Sequence, residues 1–275
     1  MAASETFGPD DRAKRRASRF IWGWTVVVVA AIYLPILCGF LASLNKSRYF
    51  RFPIAEFSFD WWRRTIDSIE IGILVRTSLT IAAFVTIIAV LVAFFGALAY
   101  ARYDWKGRRL FQKVVLLPIF FPQPVLGLAL LLWFNALGLQ LSWQTAVFAH
   151  LVWIVPVVTL VMAIQMYGFD PALEEAAYDL GASRLQVLRE VTLPILWPGI
   201  WSGALFAFLL SWGNFPLSLY TTGPDTAVPE WLYAKMVAGY TPMVPALGSM
   251  ATIAAAITLL LAGLVLRALR RRVPA

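Results

Sequence analysis

The apolar residues of this chain gather into six runs, at about 20–44, 74–100, 114–137, 145–167, 199–220 and 246–266. Each is long enough for a helix to cross a hydrocarbon layer of about 30 Å. Polarity does not alternate within them, as it would in barrel strands of about 10 residues. The pattern predicts an all-α polytopic membrane protein with six transmembrane helices. Pro35 predicts a kink in the first run. Pro118, Pro122 and Pro124 crowd the third. Their freed carbonyls are tolerated inside protein or beside a water-filled cavity, so this run either kinks for packing or borders a path.

The polar segments divide the chain further. Residues 1–19 form a basic tail, and 20–70 hold the first span, a loop and an interfacial helix at Trp61-Trp62-Arg63-Arg64. That aromatic–basic run reads as a membrane anchor. Residues 71–268 form a core of five spans that includes a polar loop at 168–194, and 269–275 form a second basic tail. The first run is too long for a signal peptide and lacks an A-x-A site, so it is expected to be retained. The loop 221–245 is rich in Gly and Pro, with Trp231 and Tyr233 as expected interface anchors.

Charge sets the orientation. Of the 23 Lys and Arg, sixteen fall in the N-terminal tail, the loop after the second run, the 168–194 loop and the C-terminal end from Arg267 onward. The positive-inside rule therefore puts both termini and the 168–194 loop in the cytoplasm.

Composition narrows the class. The chain is 60% hydrophobic with a mean hydropathy of +0.74. Its net charge of +8 sits at the ends of the apolar runs, which argues against nucleic acid as a partner. Cys38 is the single cysteine, so neither an intrachain disulfide nor a thiolate cluster is available. His150 is the single histidine and reads as a helix-packing hydrogen bonder; no metal site is expected.

The polar stretch 170–194, DPALEEAAYDLGASRLQVLREVTLP, carries the most information. It predicts two short helices joined at a glycine. Asp170 caps the first, and Pro171 suits its first turn. Glu174 and Glu175 lie near its positive end. Gly181 ends it in a left-handed conformation. Ser183 and Gln186 form a capping box for the second helix, which Pro194 stops. Leu173, Ala177 and Leu180 make one apolar face, which either packs on this protein's own helix ends or docks a partner.

The spacing Glu175-Ala176-Ala177, three residues, Gly181, nine residues, Val191, one residue, Leu193-Pro194 resembles the EAA loop of ABC importer permeases. Val191 stands where that pattern has isoleucine. The resemblance extends over about 71–268 and is nearest to the spermidine/putrescine type. It implies the type I importer permease fold in a bacterial inner membrane. It implies coupling through Glu174, Glu175, Ala176, Ala177, Asp179, Gly181, Ala182, Leu193 and Pro194. The implied partners are an ABC ATPase dimer, a second and different permease chain, and an extracytoplasmic solute-binding protein. The chain has no Walker A sequence. ATP and magnesium would therefore be bound by the ATPase, and this subunit would be no enzyme and hold no cofactor.

One departure concerns cargo. In the polyamine type an acidic pair often follows a serine in the fifth span; here Ser211 is followed by Trp212-Gly213-Asn214. None of the apolar cores carries Asp or Glu, so only aromatic faces remain to meet a cation. The expected solute is a polyamine or a related, less charged amine or opine-like compound. Gln123 and Asn214 are the leading path residues, with Asn135, Ser211 and Trp212. Interhelical hydrogen bonding is the alternative for each. An ion-coupled secondary transporter is the second class of function, though it usually needs ionisable groups at membrane depth or inverted repeats. The absence of H-E-x-x-H and G-x-S-x-G argues against an intramembrane enzyme.

Overall fold

The computed structural model describes residues 9–49 and 53–270. The ends of both predicted tails, including Arg271 and Arg272, lie outside the described residues. The chain divides into two compact units, Met1–Thr65 with Tyr240–Ile253, and Ile66–Gly239 with Ala254–Ala275.

In the first unit, α1 is one helix over Pro9–Ser43 with Pro35 inside it. The predicted interfacial helix is α2, Asp60–Ile66. Its Trp62 is engaged within the protein. The indole Nε1 donates to Ser43 Oγ at 3.0 Å, and the ring meets Phe40 edge-on at 6.0 Å. Trp62 thereby fastens α2 to the end of α1.

The second unit begins with α3, Ile69–Ala97, which widens into a π turn at Leu98–Arg102. Next come α4 (Arg108–Val114), α5 (Leu117–Phe120) and α6 (Gln123–Ala136). The third run was expected to form one span at 114–137, but Arg108–Phe120 is bent 100° from Gln123–Ala136. The proline cluster explains the bend. Phe121, restricted by the following Pro122, is extended, and Pro122 has ψ 126°. α6 alone, at 14 residues, is too short to cross the hydrocarbon layer; only the bent pair together has the length of a span.

α7 runs over Trp143–Tyr167. α8 (Ala172–Asp179) and α9 (Arg184–Val187) follow, then a second π turn at Leu188–Thr192 and α10, Leu193–Trp212. Pro194 therefore does not stop the second loop helix. It lies in the first turn of α10, where the wide π turn before it already relaxes the backbone that a proline would disrupt. The fifth span starts earlier than expected and ends at a break at Gly213, beyond which α11 covers Phe215–Thr221. α12 (Val228–Ala238) was expected to be loop, and α13 spans Met243–Arg270. Pro229 at a helix start with Glu230 just after it was the overlooked signal.

The core of this unit is the packing of α3, α7 and α10. Ile81, Val85, Ala89, Ala93 and Ala97 recur every fourth residue on α3 and are all buried. Small residues let the backbones close up without a solvent-driven force between helices. α10 does the same with Gly199 and Gly203. A Cβ on Gly203 would lie 2.7 Å from Met162 Cε and 3.1 Å from Val158 Cγ1. Among the described residues, five helices are long and apolar enough to cross a membrane, and the bent pair makes up to six.

Candidate coupling surface and solute path

The α8–α9 hairpin is locally determined as its sequence predicts. Ala172 N–H donates to Asp170 Oδ1 at 3.0 Å. At the other end Gly181 has φ +83°. Ala182 N–H donates to Ala177 O and Gly181 N–H to Tyr178 O, at 3.0 and 2.9 Å. These two bonds close a Schellman cap, which needs the left-handed glycine. Ser183 N–H donates to Gln186 Oε1 at 2.8 Å, completing one half of a capping box.

The hairpin shows most of its surface to solvent. Leu173, Tyr178 and Leu185 are exposed, and Leu180 is 89% exposed. Glu175, Ala176, Asp179, Gly181 and Pro194 are exposed too, while Ala182 and Leu193 are partly covered. The predicted apolar face is only partly covered by the protein's own body: Ala177 is partly buried, whereas Leu173 and Leu180 remain exposed.

Glu174 behaves differently from Glu175. Its Oε2 meets Arg102 at 2.5 Å, and its Oε1 accepts from Thr192 Oγ1 at 2.5 Å. The Arg102 guanidinium also lies 4.3 Å over the Phe169 ring. Sequence reasoning missed Arg102 and Thr192. Arg102 is 72 residues from Glu174, and no local pattern announces such a pair.

The expected path residues do not form one cluster. Gln123 and Asn135 sit near opposite ends of α6, about 18 Å apart at 1.5 Å per residue. Gln123 is partly buried, and Asn135 is exposed beside Gly138 and Gly223. Ser211 and Asn214 lie together at the α10–α11 break, both buried. Asn214 Oδ1 caps α11 by accepting from Leu217 N–H at 3.1 Å. Ser211 Oγ meets His150 Nδ1 at 2.9 Å, and the other ring nitrogen meets Ser218 Oγ at 3.0 Å. His150 thus bridges α7 to both sides of the break. Trp212 stays partly exposed and stacks on Phe208 at 6.3 Å. Past the break, Phe215 meets Tyr233 at 4.6 Å.

The segment after the break is tied down by polar contacts. Trp231 is buried, not an interface anchor; its Nε1 donates to Glu70 Oε1 at 2.7 Å. Val228 N–H donates to Ser78 Oγ at 2.8 Å. Both contacts bind α12 to α3.

Residues 89–274 match the family described as binding-protein-dependent transport system inner membrane component. The spermidine/putrescine transport system permease protein PotC of Haemophilus influenzae is 30% identical over 242 residues, 88% of this chain and 94% of that protein. PotC of Escherichia coli K12 is 28% identical over 246 residues, 89% and 93% of the two. A solved bacterial alginate ABC transporter, in complex with an alginate pentasaccharide-bound periplasmic protein, shares the fold. Its TM-score is 0.69 over 92% of this chain and 94% of that one, at 16% identity. The spans, the capped hairpin between α7 and α10 and these matches converge: the chain belongs to the family of binding-protein-dependent inner membrane components and is a permease subunit of an ABC importer.

Proposed function

We propose that this subunit forms half of a path for a small organic amine and is driven by an ATPase dimer seated on the α8–α9 hairpin. Both termini and the hairpin face the cytoplasm in this reading, as the distribution of Lys and Arg supports. The observation that carries it is the exposed apolar set Leu173, Tyr178, Leu180 and Leu185 on a hairpin whose ends are fixed by Asp170, Gly181 and Ser183. A capped, rigid element with an uncovered apolar face is suited to receiving force from a partner. ATP and magnesium belong to that partner. The other half of the path is a different permease chain, and an extracytoplasmic binding protein delivers the solute.

The amine assignment draws on the relatives, which are named for spermidine and putrescine, and on the aromatic residues beside the break. Phe208, Trp212, Phe215 and Tyr233 offer ring faces to a cation. Asp and Glu are absent from the apolar cores, which favours a solute of lower charge than spermidine.

Leu180→Asp tests the docking. Burying a leucine contributes about 1.5–3 kcal/mol, so co-purification of the ATPase should weaken at least about tenfold. Unchanged co-purification would sink the reading. Thermal stabilisation of the cognate binding protein by putrescine, but not by sugars or amino acids, tests the cargo.

A further inference from the structure

We infer that Glu174 is a positioning residue: its carboxylate, clamped between Arg102 and Thr192, passes movement of α8 to the α3 and α10 spans. The inference rests on the docking of an ATPase at the hairpin and goes beyond it. Docking concerns the outward face of α8, whereas Glu174 lies on the face turned to the body.

Three observations support it. Within α8 the residues turned from solvent are Glu174 and Ala177, so Glu174 supplies the polar attachment of this helix. Its two oxygens are divided between two different spans, Oε2 to Arg102 at the end of α3 and Oε1 to Thr192 at the start of α10. Both partners lie in single π turns, Leu98–Arg102 and Leu188–Thr192. Such turns are rare and frequently mark functional sites. Phe169, just before α8, lies under the Arg102 guanidinium and restricts it further.

The strut is charge-assisted and partly shielded, with Arg102 15% and Glu174 20% exposed. Glu174→Gln tests it well. The amide oxygen can still accept from Thr192, but the amide nitrogen faces Arg102 donor to donor. The hairpin caps are untouched, so the docking face should survive.

The experiment uses the full importer in liposomes, with its ATPase, partner permease and binding protein. Co-purified ATPase, ATP hydrolysis and solute taken up per ATP are measured. Glu174→Gln should keep the ATPase bound while uptake per ATP falls at least about fivefold. Thr192→Val, which removes a single hydrogen bond from the same carboxylate, should lower it in the same direction. The exchange Glu174→Arg with Arg102→Glu should restore part of the loss. Normal uptake per ATP in Glu174→Gln would overturn the proposal, as would loss of the ATPase itself, since Glu174 would then belong to the docking face. Leu180→Asp serves alongside. Should it still bind the ATPase, the docking reading fails whatever Glu174→Gln does.

Discussion

At the scale of single residues, several buried polar groups among the described residues are held by one another, with Trp201 Nε1 the buried side-chain atom left without a partner. His150 is 1% exposed and has both ring nitrogens occupied by serine hydroxyls. Buried polar groups left unpaired cost about 1–3 kcal/mol, which is why such residues come in sets. Glu230 is the case that pH can test. Burial raises its pKa above the ordinary 4.5, against hydrogen bonds from Thr222 and the Ala227 N–H that lower it. A carboxyl with a raised folded pKa stabilises the fold fully below its unfolded value. It loses that contribution as pH rises through the folded value. The Tm of the purified protein should fall across this window. Glu230→Gln can still accept from Ala227 and donate to Thr222, so it should flatten the slope. Equal slopes in the two proteins would contradict the assignment.

At the scale of elements, the close approach of α7 and α10 depends on Gly203. Met162 Cε and Val158 Cγ1 already occupy the space a larger side chain would need. Gly203→Val should destabilise the protein by about 1–3 kcal/mol through overpacking, measured as a lower Tm in detergent. A Tm equal to that of the wild type would show that the helices can part without cost. The same scale shows what could be read in advance. The hairpin was legible because its determinants are local: Asp170, Gly181, Ser183 and Gln186 act within a few residues of themselves. The length of α7 and the cluster of prolines were legible too, but not the direction of the 100° bend they cause. The run into α10 was misjudged because a π turn leaves no signature in spacing, so Pro194 looked like a stop. Arg102 and Thr192 were invisible because their partner is brought to them by the packing of three helices. Ser211 and Asn214 were found by polarity, yet polarity could not separate a solute contact from a cap and a bridge to His150.

At the scale of the whole molecule, the fold places a capped, exposed hairpin between two spans and a break at the end of one of them. The ionisable group at depth in the described spans that the sequence singles out, His150, is engaged by Ser211 and Ser218, and in the proposed reading the hairpin is where an external motor attaches. To shift a two-state transporter from 1:99 to 99:1, a partner must favour one state by about 5.5 kcal/mol. In the proposed reading, exposed side chains such as Leu180 are where part of that differential binding is made. The test is direct, because Cys38 is the single native cysteine. In a Cys38→Ser background, Leu180→Cys would be treated with a membrane-impermeant maleimide, in inverted and in right-side-out vesicles, with and without the ATPase subunit. The expected result is labelling in inverted vesicles that the ATPase suppresses, and none in right-side-out vesicles. Labelling from the outer face, or labelling in inverted vesicles that the ATPase leaves unchanged, would contradict a cytoplasmic coupling hairpin.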